Sequence, residues 1–318
     1  MTETMTERIP AVMRAVRLHP PGGPTRLVVE QVATPRPAAG EALVGVHAAA
    51  ITRDELDWPT DRLPAIPSYE FSGVVAAVAG DVDEPPVGTA VYALGDFDRD
   101  GAAADYTVVP AGLLAPKPAT LGHVDSAAVP LAALSAWQAL FDHGQLREGQ
   151  RVLVHGAGGV GGFVVQLARW CGAHVAATAS TGNVAAARRL GADQVVDHLA
   201  GRFEDVVAQV DLVVDTVGGE RLRRSPAVLR RGGRLVSVAE TPSAEDAAAR
   251  GITAIYFVVA PNRGQLVKLA GLIDGGELRP TVDRVFPLAD ARAAFQLSLG
   301  DHRPGKIVLR VADEQAGG

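Results

Sequence analysis

RVLVHGAGGVGGFVVQLARW, residues 151–170, decides how this chain folds. Val152 to His155 form a short, β-branched apolar run, the signature of a buried parallel strand. Gly156-Ala157-Gly158-Gly159-Val160-Gly161 then fits G-x-G-x-x-G, and Phe163 to Trp170 continue with apolar residues at helical spacing. Gly156 permits the tight turn out of the strand, and Gly158 lets backbone approach a diphosphate. Gly161 lets helix and strand pack closely, while the helix N-terminus presents N–H groups and a partial positive charge. A glycine-rich turn alone is weak evidence. Between a strand and a helix it reads as a dinucleotide site, with Gly156, Gly158, Gly159, Val160 and Gly161 in contact.

Outward from this stretch, strands and helices alternate. Strands are expected at Val152–His155, His174–Thr178, Gln194–Asp197, Leu212–Thr216, Arg234–Ala239 and Thr253–Val259. Helices fall between them at Gly159–Trp170, Val184–Leu190, Phe203–Gln209, Glu220–Leu229 and Ala244–Ala249. Six strands with intervening helices make one doubly wound α/β parallel sheet of the Rossmann type. The chain before it is mostly β, with short strands at Ala11–Leu18, Leu27–Val32, Glu41–Ala49, Phe71–Ala79, Ala90–Leu94 and Tyr106–Pro110 separated by Pro/Gly turns. Asp125–Phe141 reads as one helix, and Gln265–Gly275 as another. Leu278–Val311 returns to short strands around a helix, Leu288–Leu299. The tail is therefore expected to fold back on the β-rich part, leaving the Rossmann unit inserted and a cleft between domains. The expected boundaries are 1–121 and 266–318 for the β-rich domain and 122–265 for the dinucleotide domain.

The 318 residues suffice for two domains, and 47% hydrophobic residues support a full core. A net charge of −6 gives no reason to expect nucleic acid. Lysine occurs only at Lys117, Lys268 and Lys306, with arginine carrying the other positive charges. Cys171 is the single cysteine, which excludes disulfides within the chain and cysteine zinc clusters. The N-terminus lacks the apolar core of a signal peptide and no apolar run approaches membrane length, so a cytoplasmic protein without a membrane partner is expected. Residues up to about Ile9 and the tail after Ala312 are expected to fray.

This order of segments resembles the medium-chain dehydrogenase/reductase superfamily, most closely its zinc-free quinone oxidoreductase branch. The resemblance covers residues 12–311. It rests on PSYEFSGVVAAV (67–78), DGAAADYTVVP (100–110), PLAALSAWQAL (130–140), VLVHGAGGVGG (152–162), RRLGADQVVDH (188–198), DLVVDTVGG (211–219), RGGRLVSVA (231–239) and GKIVLRV (305–311). It implies a GroES-like catalytic domain carrying the inserted Rossmann sheet. Two departures stand out: the glycine turn is one residue shorter than in many quinone reductases, and the segment between Leu56 and Pro67 is short.

Zinc-dependent relatives place a Cys near Thr52–Glu55, a His before a Glu, and a four-cysteine lobe. Here Tyr69 precedes Glu70, no thiolate stands near Thr52, and the lobe is the cysteine-free loop Gly95–Gly101, so no metal is expected. Asp96 to Gly101 imitates half of an EF-hand loop, but the twelfth position is Thr107 and no helices flank it. A surface turn is the expectation.

The second Rossmann strand ends Ala176-Ala177-Thr178-Ala179-Ser180-Thr181-Gly182-Asn183, without the acid that holds a ribose diol in NAD sites. Ser180, Thr181 and Asn183 are the expected contacts of a 2′-phosphate, with Arg188 either a partner or a surface charge, and NADP(H) is the expected cofactor. Thr216 and Val217, Val238 and Ala239, and Phe257 and Val258 end later strands on the cofactor-facing edge. With no metal to polarise a carbonyl, the fitting acceptor spreads charge itself: a quinone or an enone. The resemblance to the family's catalytic-cleft segment, where relatives often carry N-x-x-D, points to Thr52, Arg53 and Glu55, with Tyr69, Asp54 and Tyr92 as other nearby polar candidates. Thr52 or Tyr69 would donate to an oxyanion and Arg53 would stabilise its charge. For each, a purely structural role is equally open. A biosynthetic enoyl or polyketide-tailoring reductase and a non-catalytic NADPH-binding protein remain alternatives. The apolar edge strand 253–259 predicts a homodimer.

Overall fold

The computed structural model describes residues 9–58, 61–300 and 304–312, and the expected frayed ends lie outside them. Seven strands open the chain: β1 (Val12–Leu18), β2 (Leu27–Ala33), β3 (Glu41–Ile51), β4 (Glu70–Val78), β5 (Ala90–Leu94), β6 (Tyr106–Pro110) and β7 (Ala115–Pro116). Helices α1 (His123–Ala127) and α2 (Pro130–Trp137) follow. The alternating part runs β8 (Arg151–His155), α3 (Gly159–Trp170), β9 (His174–Ala179), α4 (Val184–Arg189), β10 (Gln194–Asp197) and β11 (Val210–Asp215). It continues through α5 (Gly219–Arg224), β12 (Leu229–Ser237), α6 (Ala244–Arg250) and β13 (Thr253–Tyr256). The chain closes with α7 (Arg263–Asp274), β14 (Val282–Pro287), α8 (Ala291–Leu299) and β15 (Lys306–Arg310).

Two compact units result, divided after Pro130 and again after Thr281, where the chain returns to the first unit. These divisions fall later than the expected 121/122 and 265/266. Ala127 and Ala128 at the end of α1 are buried with Ala48, Ala50 and Val308 of β3 and β15, which ties α1 to the first unit. Gln265 of α7 bonds to Gln138 and Asp142, which ties α7 to the second.

In the first unit, one sheet runs β14-β15-β3-β4-β5-β7 with β6 also paired to β3, and β1 with β2 forms a separate antiparallel pair. β15 lies antiparallel on β3, matching Ile307 to Ile51 and Leu309 to Ala49, so the last strand completes a sheet begun some 250 residues earlier. Alternate residues of these strands face a core with Phe71, Leu114 and Phe295, the last supplied by α8. Truncating Phe295, which is fully buried, would cost about 3–5 kcal/mol.

The second unit holds a six-stranded parallel sheet in the order β10-β9-β8-β11-β12-β13. Val152, Leu153 and Val154 of central β8 are fully buried, as a strand covered on both faces requires. The order reverses beside β8, so the glycine turn leaving β8 sits at the topological switch point. Among the described residues no helix is long and apolar enough to cross a membrane.

Three helices expected from periodicity differ. The one expected over Glu220–Leu229 ends at Arg224, with a 3₁₀ turn at Ser225–Ala227 and Leu229 already in β12. The helix expected over Asp125–Phe141 is broken: α1 ends at Ala127, α2 restarts at Pro130, and a π-helical turn covers Gln138–His143. Pro130 lacks the N–H and its ring disfavours a helical residue before it, so the break falls there. Phe203–Gln209 shows only a 3₁₀ turn at Phe203–Asp205, and Gln209 takes a φ of +55°, outside any helix.

Candidate functional site

In the second unit, the candidate dinucleotide site lies at the strand ends. His155 closes β8, and Gly156 leaves it at φ +84°, a left-handed conformation that L side chains rarely adopt. A Cβ on Gly156 would stand 2.9 Å from Thr216 Oγ1, and one on Gly161 would stand 1.8 Å from the Gly156 carbonyl oxygen. The first turn of α3 is therefore pressed against the strand exit as closely as backbone allows. Gly158 is different: a Cβ there would meet nothing within 4 Å. It is exposed, at the N-cap of a twelve-residue helix that no side chain caps. The last fact matters chemically, because uncapped N–H groups and the helix dipole suit an anionic diphosphate. The shape thus fits a dinucleotide, with Gly156 and Gly161 making the turn and Gly158, Gly159 and Val160 presenting backbone.

Neighbouring strand ends complete the rim. Thr216 Oγ1 donates to the His155 carbonyl at 2.7 Å, holding β11's exit over the glycine turn. Asp215, fully buried, accepts from Gly218 N at 2.9 Å and Ser237 Oγ at 3.0 Å; burial raises its pKa against these bonds. Val217 is exposed, Val238 half-buried and Ala239 exposed. Phe257 is buried with its ring 4.4 Å from that of His143, whereas Val258 is 64% exposed. Of this pair expected on the cofactor-facing edge, Phe257 is therefore packed internally.

After β9, Ser180, Thr181 and Asn183 form one turn, and Asn183 Nδ2 donates to Ser180 Oγ at 2.9 Å. Arg188 is exposed in the last turn of α4. An acid does reach this turn, from a different strand: Asp197, which ends β10. Its pKa is lowered chiefly by a hydrogen bond from the Thr181 side chain, and then by the Leu199 backbone amide. Local reading of the β9 exit could not show this, because β10 pairs beside β9 with Asp197 opposite Ala179.

In the first unit, the catalytic candidates separate into three environments. Thr52, half-buried, follows β3; its Oγ1 accepts from Lys306 Nζ at 3.0 Å and its N–H donates to Glu55 Oε2 at 3.1 Å. Tyr69 is buried against Trp58 and Phe97, with its hydroxyl accepting from Arg62 Nη2 at 3.0 Å. Burial pushes its pKa up to about 12, so the phenol keeps its proton. Arg53 is directed elsewhere. Its Nη2 donates to the Leu299 carbonyl at 2.7 Å, where a cation satisfies the negative end of α8. Arg53, expected to stabilise an oxyanion, is thus engaged with a helix end in this structure.

Sequence reasoning missed Lys306. At the start of β15 it is nearly buried and lies 2.5 Å from Glu70 Oε1, itself 1% exposed. Glu55 shares the cluster, accepting also from Ser68 N at 3.1 Å. Burial pushes its pKa up to about 8, with Lys306 opposing and Glu70 reinforcing the shift. At neutral pH the Glu55 carboxyl is therefore largely protonated, beside the Lys306–Glu70 ion pair. The available signal was local: one of three lysines stands next to an apolar strand run, Ile307 to Leu309, where a charge survives only if paired.

These positions do not suit zinc. The donors are a hydroxyl taken by an ammonium, a phenol taken by a guanidinium, and a carboxylate already in an ion pair. In the Gly95–Gly101 loop, Asp96 accepts from Asp98 N and Asp100 from Ile66 N, as in a self-satisfied surface turn.

Comparison with known proteins bears on this arrangement. A family profile described as alcohol dehydrogenase GroES-like domain matches residues 38–119, and one described as zinc-binding dehydrogenase matches 190–309. An NADPH-dependent alkenal/one oxidoreductase of Arabidopsis thaliana is 33% identical over 96% of this chain and 81% of its own length. The same identity and coverage hold for a 2-methylene-furan-3-one reductase of Solanum lycopersicum. The chain belongs to the medium-chain dehydrogenase/reductase superfamily, in its quinone oxidoreductase-like branch. It is an oxidoreductase of that family, and a solved quinone oxidoreductase from Coxiella burnetii superposes with a TM-score of 0.89 at 30% identity, covering 95% of this chain and all of that one.

Proposed function

We propose that this enzyme is a zinc-independent, NADPH-dependent reductase of a quinone or an α,β-unsaturated carbonyl. The observation that carries the reading is a polar cluster whose hydroxyl and carboxylate are already engaged by an ammonium rather than open to zinc, in a chain that also carries an uncapped glycine turn suited to a diphosphate. A bound reduced nicotinamide supplies hydride. The remaining work belongs to a side chain: Thr52 donates a hydrogen bond to the oxygen that gains charge, while Tyr69, whose burial keeps it protonated, stays engaged with Arg62. A quinone or enone needs only this, because its own conjugation spreads the added electron pair.

Preference for NADPH follows from the Ser180–Asn183 turn, whose hydroxyl and amide groups accept a phosphate. Asp197 limits it, since a carboxylate held beside Thr181 repels a dianion. A modest preference results, read as the ratio of kcat/KM for the two coenzymes. We also read the chain as a cytoplasmic homodimer joined through strand 253–259, since β13 ends the sheet with Tyr256 and Val258 exposed.

The test is NADPH oxidation measured against quinones, enals, cyclic enones and an enoyl thioester, together with metal analysis of the purified enzyme. Turnover on quinones or enones without zinc is expected. Turnover only on saturated alcohols or aldehydes, or dependence on stoichiometric zinc, overturns the reading.

A further inference from the structure

The cluster around Lys306 places a cation where no motif announced one. Lys306 Nζ lies 2.5 Å from Glu70 Oε1 and 3.0 Å from Thr52 Oγ1, so one ammonium bridges a fully buried carboxylate and a half-exposed hydroxyl. A threonine hydroxyl has a single proton. With an ammonium N–H directed at its oxygen, that proton must point away from Lys306, and among the described residues no acceptor is recorded for it. Glu55 fixes the backbone on the same side: its two oxygens accept from Thr52 N and Ser68 N, tying the loop after β3 to the residue before Tyr69. A buried cation also makes the hydroxyl it touches a stronger donor, because charge developing on Thr52 Oγ1 is partly balanced in place.

We propose that Lys306 is the positioning residue of the reductive half of the reaction: held by Glu70, it turns the Thr52 hydroxyl outward as the oxyanion donor and replaces the proton that Thr52 gives up. This inference rests on the proposed reduction of a quinone or enone. With an enone, hydride forms a C–H bond at the β-carbon, the C=C electron pair moves, and the carbonyl oxygen becomes an enolate oxygen. Thr52 stabilises that oxygen and passes it a proton. One N–H of Lys306 breaks as the Thr52 O–H is restored, and the neutral amine recovers its proton from water. The enol then becomes the saturated ketone. Hydride plus one proton have been added, and the nicotinamide is the species oxidised. Glu70 keeps Lys306 within reach of Thr52 in both protonation states and touches no substrate. In this scheme the ammonium supplies the fixed positive charge that zinc supplies in metal-dependent relatives.

The test compares wild type, Lys306→Met, Lys306→Arg, Thr52→Val and the double variant Lys306→Met/Thr52→Val. Two readouts are taken: enone turnover at saturating NADPH, and affinity of the coenzyme-saturated enzyme for 4-nitrophenolate, a stable stand-in for an enolate. Lys306→Met should lower kcat about 10²-fold, as loss of an oxyanion donor does, and weaken phenolate binding at least tenfold. Its NADPH affinity should not change. Lys306→Arg, which keeps a cation and N–H donors, should recover most of both, and the double variant should be no worse than Thr52→Val alone. Because Lys306→Met strands the Glu70 charge, Lys306→Met/Glu70→Gln is made in parallel; it should fold and yet remain as slow.

Wild-type values in a folded Lys306→Met or Lys306→Met/Glu70→Gln protein overturn the inference while leaving the proposed function intact. Full additivity of Lys306→Met and Thr52→Val overturns it as well. If the wild type reduces no acceptor, the functional reading fails on its own, and the phenolate titration still decides whether Lys306 arms Thr52.

Discussion

Two glycines three residues apart, Gly158 and Gly161, should respond to alanine in opposite ways. At Gly161 the added methyl would lie 1.8 Å from the Gly156 carbonyl oxygen, well inside the 3.0 Å that real Cβ contacts respect. The obstacle is backbone, so the first turn of α3 must shift by about 1 Å or more off β8. Overpacking of this kind costs about 1–3 kcal/mol, which for a chain of this size lowers Tm by several degrees. Coenzyme affinity falls with it, because the amides of that turn move away from the diphosphate. At Gly158 the same methyl meets no protein atom within 4 Å, and φ is negative at −84°. Gly158→Ala should therefore melt within about 1 °C of wild type, since unconstrained surface changes stay near ±0.5 kcal/mol. Its methyl nonetheless occupies the space where the diphosphate approaches the backbone, and NADPH affinity should drop about tenfold or more, roughly 1.4 kcal/mol. Differential scanning fluorimetry with and without NADPH, paired with coenzyme fluorescence titration, reads both effects. Gly158→Ala binding NADPH as well as wild type would refute the placement of the diphosphate on this turn. Gly161→Ala with unchanged Tm would refute the close packing of helix on strand.

Other expectations concern the first unit and the sheet edge. Thr52→Val should lower kcat on enones about 10²-fold with little change in NADPH affinity, whereas Arg53→Ala should leave kcat nearly unchanged and cost stability at the end of α8; steady-state kinetics and Tm separate the two. Glu55 has a folded pKa near 8, above its ordinary 4.5, so the folded state binds its proton more tightly. Its contribution is complete below about pH 4.5 and is lost as pH rises through 8. The ceiling on that loss is about 4–5 kcal/mol, and Glu55→Gln should flatten the decline in urea unfolding between about pH 4.5 and 8. Asp197→Asn should raise the kcat/KM ratio of NADPH to NADH several-fold by removing a charge beside the Thr181 turn, and an unchanged ratio would place the 2′-phosphate elsewhere. Light scattering should give twice the chain mass, and Val258→Lys should return a monomer if 253–259 is the joining edge.

The second unit was largely legible because its signals are local. Gln194–Asp197 is read with correct ends, and β8, β9 and β13 are read to within three residues, since buried parallel strands are short apolar runs bounded by glycine and polar turns. β12 begins five residues earlier than its apolar run, because Leu229 pairs with Val210 ahead of the Gly232-Gly233 step. The broken helix at Pro130 was also readable in principle; apolar spacing across the proline outweighed the proline itself. What the sequence hid are pairings between distant segments. Lys306 meets Thr52 only because β15 lies on β3, and Asp197 meets Thr181 only because β10 lies beside β9. Neither pairing leaves a mark in the residues around it. Arg53 shows the converse: a charge in a catalytic-looking segment is spent on the end of a distant helix.

His155 sits directly beneath the glycine turn, fully buried, with Nε2 2.9 Å from Ser225 Oγ and Nδ1 3.2 Å from Thr178 Oγ1. Ser225 donates its own proton to the Arg221 carbonyl, so the imidazole carries hydrogen on Nε2 and accepts on Nδ1. Burial, helped by Arg221 and Arg224, drives its pKa down to about 3. The ring beneath the glycine turn is thus uncharged across every pH at which a cell operates. Acidification within that range cannot tighten the grip on a nucleotide by charging this ring.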